Sequence, residues 1–109
     1  MTVTDADETR VLRLLNQDVA ATIGPGYEGS ILDAGAHVRT RRDDPREYVE
    51  KVVEDVQQRF HDLFIDTSWP ACPLHANHPL WLHNEQWVCE HTQTPIAPLG
   101  DLGRRGNMG

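Results

Sequence analysis

The sequence predicts an α+β fold: two packed helices with a short hairpin between them, followed by a C-terminal β-hairpin. Three observations predict it. Within residues 1–66 apolar side chains recur at spacings of three and four in two stretches, each preceded by a helix-capping residue. Further on, Leu80-Trp81-Leu82 and Gln86-Trp87-Val88 flank the turn residues His83-Asn84-Glu85. The composition also changes along the chain. Residues 1–66 hold 14 of the 17 acidic residues, whereas 67–109 hold both cysteines, four of the six histidines, all three tryptophans and five of the seven prolines. At 109 residues this is one domain's worth of chain. It divides into a helical front (1–66), a hairpin segment (67–102) and a tail expected to fray (103–109).

The first helix is expected from Asp5 to Ile23. Thr4 is a suitable N-cap and Asp7, three residues on, completes a capping box. Val11, Leu12, Leu15, Val19 and Ile23 make one apolar stripe, and Gly24-Pro25-Gly26 ends it. In 27–42 the short runs around Asp33-Ala34-Gly35 read as the hairpin between the helices. Asp44 and Pro45 then open the second helix as N-cap and first helical residue. Its stripe is Val49, Val52, Val53, Val56, Phe60, Leu63 and Phe64, and Glu50, Lys51, Glu54, Asp55, Gln58, Arg59 and Asp62 form a solvated face. Four β-branched valines weaken intrinsic helicity, so packing against the first stripe must hold this helix. Arg39, Arg41, Arg42 and Arg46 are offset by Asp43, Asp44 and Glu47 and read as a solvated turn. Pro95 to Leu102 reads as an edge strand, where a proline costs no ladder donor.

A net charge of −7 argues against binding nucleic acid through its backbone and against acidic membrane surfaces. Apolar runs of a few residues are far short of the roughly 20 needed to span a bilayer. The acidic start, Thr2 to Glu8, lacks the apolar core of a signal peptide, so a cytoplasmic location is expected. In a reducing compartment two cysteines serve metal or catalysis more often than a disulfide.

The chemistry concentrates between Trp69 and His91. Cys72 and His75 stand three apart, a spacing at which a tight turn brings two side chains to one ion. Thirteen residues separate His75 from Cys89, and His91 follows two positions later. Zinc takes four sulfur or nitrogen ligands in a tetrahedron, at about 2.3 Å for sulfur and about 2.0–2.1 Å for nitrogen. Two ligand pairs joined by a hairpin meet that demand. The expected ligands are Cys72, His75 and Cys89, with a fourth from His91 or His78. His91 serves if the strand stays extended, since residues two apart share a face. His78 serves if the Ala76-Asn77 turn folds back. His83 reads as exposed polar surface, and Trp81 and Trp87 as cross-strand partners.

Cys72-Pro73-Leu74-His75 and Trp87-Val88-Cys89 resemble the two halves of a zinc ribbon, with His in place of the second Cys. The likeness covers Trp69 to Leu99 and departs at Cys89-Glu90-His91, where a ribbon has Cys-x-x-Cys. The chain also resembles small uncharacterised bacterial proteins that join a helical front to a Cys-Pro-x-His knuckle, a likeness that brings no activity. The resemblance implies zinc as cofactor.

The leading functional expectation is a non-catalytic, zinc-stabilised module that binds an unidentified protein partner through its acidic helical face or its Trp-bearing hairpin. The alternative is a zinc-dependent hydrolase, with three protein ligands, an open position for water, and Glu85 or Glu90 as general base. A nucleic-acid-binding ribbon is a further alternative, disfavoured by the charge.

Overall fold

The first helix, α1 (Asp5–Thr22), begins where its cap directs. The Thr4 hydroxyl accepts the Asp7 N–H at 3.1 Å, and the Asp7 carboxylate accepts the Thr4 N–H at 3.0 Å. Two of the donors that a helix start leaves unsatisfied are thereby paired. The computed structural model describes residues 2–41, 44–63, 69–70, 72 and 79–102. The expectations for Arg42, Asp43, Phe64, His75, His78 and the tail 103–109 lie outside these.

The hairpin expected in 27–42 is corrected. This segment is a helix, α2 (Glu28–Arg39), burying Ile31, Ala34, Gly35 and Val38 along one face. Gly35 suggested a turn, but it serves packing. A Cβ added there would lie 2.8 Å from both Leu12 methyl carbons and 3.2 Å from the Tyr48 hydroxyl. Absence of a side chain lets the neighbouring helices close on α2. At the end of α2, Arg39 donates to Asp5 at 2.6 Å and to Glu8 at 3.0 Å. It ties α2 to the start of α1, so its charge belongs there and not to the following turn.

The third helix, α3 (Pro45–Asp62), is the second of the two expected. The Asp44 carboxylate accepts the N–H groups of Arg46 at 2.8 Å and Glu47 at 3.3 Å. Tyr48, Val49, Val52, Val53, Val56 and Phe60 are buried, and α3 lies mainly against α2, with α1 beside both. The stripe ends sooner than expected. Leu63 caps the helix and is 62% exposed, because a residue that leaves helical geometry no longer follows its row. Val56→Ala should therefore lower stability by about 2 kcal/mol through lost burial and a residual cavity. Leu63→Ala should stay within about 0.5 kcal/mol. Urea unfolding of both variants checks this, and equal losses would contradict the placement of the stripe.

Three antiparallel strands follow in the order β1 (Leu80–His83), β2 (Gln86–Cys89) and β3 (Thr94–Pro98). The first turn is tighter than expected, since His83 pairs with Gln86 and only Asn84 and Glu85 lie outside the ladder. Both have positive φ, 51° and 61°, as a two-residue turn matched to strand twist requires. Glu85 is also clasped by Arg10 of α1 at 2.6 and 3.0 Å. β3 is the expected edge strand, carrying Pro95 and Pro98.

Register corrects the reading of the tryptophans. Leu82 faces Trp87 and Trp81 faces Val88, so the two indoles lie on opposite sides of the sheet. Leu80, Leu82, Trp87 and Cys89 point inward, whereas Trp81 is 49% exposed. Inside, Trp87 meets Trp69 edge-on at 5.5 Å, and Trp69 meets Phe60 of α3 at 5.4 Å. The helices and the sheet therefore share one core. Among the described residues no helix is long and apolar enough to cross a membrane.

Candidate metal centre

Strand alternation turns Cys89, the last residue of β2, toward the core. Cys72 is brought to it by a set of polar clips. The Gln57 amide donates to the carbonyls of Trp69 at 3.1 Å and Leu80 at 2.9 Å. The Leu80 N–H donates to the Pro70 carbonyl at 2.7 Å, and the Trp69 indole N–H donates to the Thr22 hydroxyl at 2.8 Å. The segment leading to Cys72 is thus pinned to α1, α3 and β1, and Leu80 is itself the cross-strand partner of Cys89. Both cysteines are buried, they are not joined in a disulfide, and the Cys72 thiol hydrogen-bonds the Cys89 sulfur.

Immediately beyond Cys89 the chain turns. The Gln93 N–H donates to the Cys89 carbonyl at 2.7 Å, and Gln93 takes a positive φ of 61°. The turn directs the Thr92 hydroxyl and N–H and the His91 N–H to the sulfur, and the Cys72 thiol donates to it from the facing segment. Against the opposing effect of burial, they hold the Cys89 thiol down to about 6 from its ordinary 9. Donors arranged around a sulfur favour its thiolate, which is the form that binds metal and acts as a nucleophile.

The candidate ligands divide accordingly. Cys72 and Cys89 come together. His91 is exposed in the turn, because β2 stops at Cys89 and the shared-face geometry expected for an extended strand is not formed. His75 and His78 lie outside the described residues. Among the described residues, no group of three or more Cys, His, Asp or Glu is placed to hold a metal ion. His83 is exposed, as expected, though at a strand end and not within the turn.

The two carboxylates considered as general bases differ. Arg10 hydrogen-bonds Glu85 and holds its carboxyl below the usual range, which makes it a weaker base. Glu90 is exposed in the turn after Cys89.

Sequence reasoning missed three residues that build this region: Gln57, Thr92 and Asp18. Asp18 is fully buried on α1, where its carboxylate accepts the Trp87 indole N–H at 2.8 Å and the N–H groups of Gly100 at 2.7 Å and Leu102 at 2.9 Å. The signal was present, since Asp18 falls three residues after Leu15 and beside Val19, inside the apolar stripe. An acid in such a row needs internal donors. No protein-family model matches the chain, and neither does any curated protein or solved structure.

Proposed function

We propose that the chain is a small non-catalytic zinc-binding protein that serves as a protein-interaction module. The observation that supports this reading most strongly is the pairing of two buried cysteines, one of them ringed by donors supplied by its own following turn. Two sulfurs so arranged suit a thiophilic ion. In this proposal Cys72, His75 and Cys89 hold the zinc, with His78 or His91 as fourth ligand, and the set closes the tetrahedron as structural sites do. The turn after Cys89 takes the part of the second ribbon knuckle with one sulfur in place of two. A thin three-stranded sheet gains from such a staple. The hydrolase alternative draws less support, because Arg10 occupies Glu85.

Elemental analysis of protein purified without added metal tests the proposal. About one zinc per chain is expected, and folded protein carrying under a tenth of an equivalent would end it. Substitution then assigns the fourth ligand. Because the chain leaves the strand before His91, His78→Ala is expected to release zinc to a competing chelator at least about tenfold more readily than His91→Ala, with His83→Ala unchanged. The reverse order would place His91 in the ligand set and bring the second half closer to a ribbon.

A further inference from the structure

The outward side of the hairpin carries a feature that the metal site does not use. Trp81 is 49% exposed on β1, an edge strand, and borders a cavity of about 260 Å³ shared with α3. Val53 and Leu82 supply apolar lining, and Glu50, Glu54 and Glu90 supply carboxylates. Among the described residues lining it there is no lysine or arginine. Lys51 reaches Glu54 at 3.0 Å from outside the cavity, whereas Glu50 and Glu90 make no ion pair among the described residues.

We infer that this face is a docking site for a basic peptide segment of a partner protein, with one arginine or lysine side chain lying against the Trp81 indole between Glu50 and Glu90. The inference rests on the protein-interaction reading proposed above and names the chemistry of the partner. Two arguments select the occupant. An exposed indole attracts a cation to its face, and carboxylates beside it add to that attraction. The volume lies below the roughly 300–1,000 Å³ of small-molecule pockets, so it suits one side chain of a larger partner better than a separate ligand. The acidic helical face and the Trp-bearing hairpin, which the sequence offered as separate contact surfaces, meet here in one place.

The test uses the full chain as purified, with its zinc content measured on the same sample. Acetylated tetra-arginine amide is titrated in, with tetra-glutamate and tetra-serine amides as controls, and the three indole N–H resonances are followed by NMR. The Trp81 resonance is expected to move with tetra-arginine alone, while those of the buried Trp69 and Trp87 stay in place. Added salt is expected to weaken the effect. Trp81→Leu, which keeps an apolar residue on the strand, and Glu50→Gln with Glu90→Gln should each weaken binding about tenfold while leaving the helical circular dichroism unchanged. Equal affinity in these variants overturns the proposal. So does a response to tetra-glutamate, or a concentration-dependent dimer that Trp81→Leu abolishes, which would make the face a self-association surface. Zinc-free protein that still binds the peptide through Trp81 would sink the metal reading and leave this one standing. Zinc-loaded protein that ignores the peptide would do the opposite.

Discussion

If zinc is held as proposed, stripping it at neutral pH is expected to move the tryptophan emission to the red and to unfold helices and sheet together. In a structural site the free energy of metal binding is folding free energy, about 10 kcal/mol for zinc on a small peptide and comparable to the whole stability of an ordinary domain. The reporters are well placed. Trp69 and Trp87 are 3% and 0% exposed and touch each other, whereas the half-exposed Trp81 has little further to shift. Cys72 follows Trp69 closely and Cys89 follows Trp87 on the same strand, so release of the two sulfurs frees both indoles.

Loss should not stop at the sheet. Trp69 packs on Phe60 of α3, and Trp87 is hydrogen-bonded to Asp18 of α1. Opening the sheet uncovers the inner face of both helices, so helical circular dichroism should fall with the emission change in one transition. Acid should act in the same direction. The Cys89 thiol is held down to about 6, so its thiolate contribution is complete above its ordinary value near 9 and is lost as pH falls through about 6. Zinc retention should weaken over that lower range as protons compete for sulfur and imidazole. Complete zinc removal with unchanged emission would argue for a site that is not structural and would favour the hydrolase reading. Hydrolysis should then disappear with the metal and return with it.

The elements that read correctly from sequence are those whose signals are local. Thr4 with Asp7, and Asp44 with Pro45, fix helix starts through bonds spanning two or three residues. The hairpin was legible from its two flanking runs, although its turn is Asn84-Glu85 alone. α2 was hidden because Gly29, Gly35 and three further small residues, Ser30, Ala34 and Ala36, dilute its apolar row. The reason for Gly35 is contact with Leu12 and Tyr48, which are remote in sequence. The tryptophans were placed on one side of the sheet because a three-residue turn was assumed. The actual two-residue turn shifts the pairing so that Trp81 meets Val88, and every outward residue follows from that register. Of the candidate ligands, the sequence pointed to Cys72 and Cys89, which the fold brings together. What spacing did not convey was the turn at Glu90, set by the Gln93–Cys89 bond and the left-handed Gln93, which carries His91 away from the strand.

Asp18→Ala is expected to destabilise the protein by about 3–5 kcal/mol, since it leaves buried donors without an acceptor at about 1–3 kcal/mol each, partly offset by removal of a buried carboxylate. The Trp87 indole N–H and the backbone N–H groups of Gly100 and Leu102 all end on this one side chain. No alternative acceptor can enter easily at Gly100. Its φ is +99°, and an added Cβ would lie 2.6 Å from a Leu14 methyl, so backbone and helix are already in close contact. In a domain of this size the loss corresponds to a fall in Tm of about 15–25 °C. Asp18→Asn separates shape from acceptor capacity, because it keeps one oxygen but turns an NH₂ toward donors. It should recover only part of the loss. The pH dependence has a definite sign. Burial raises the Asp18 carboxyl above its ordinary 3.8, outweighing the three donors, so the folded state holds its proton to higher pH than the unfolded state does. This contribution is full below 3.8 and is lost as pH rises through the raised value. The advantage of the wild type over Asp18→Asn should therefore shrink from acid toward neutral pH and then level off. Urea unfolding of both proteins across that range measures it, and an advantage that grew with pH would show that the hydrogen bonds, not burial, govern this carboxylate.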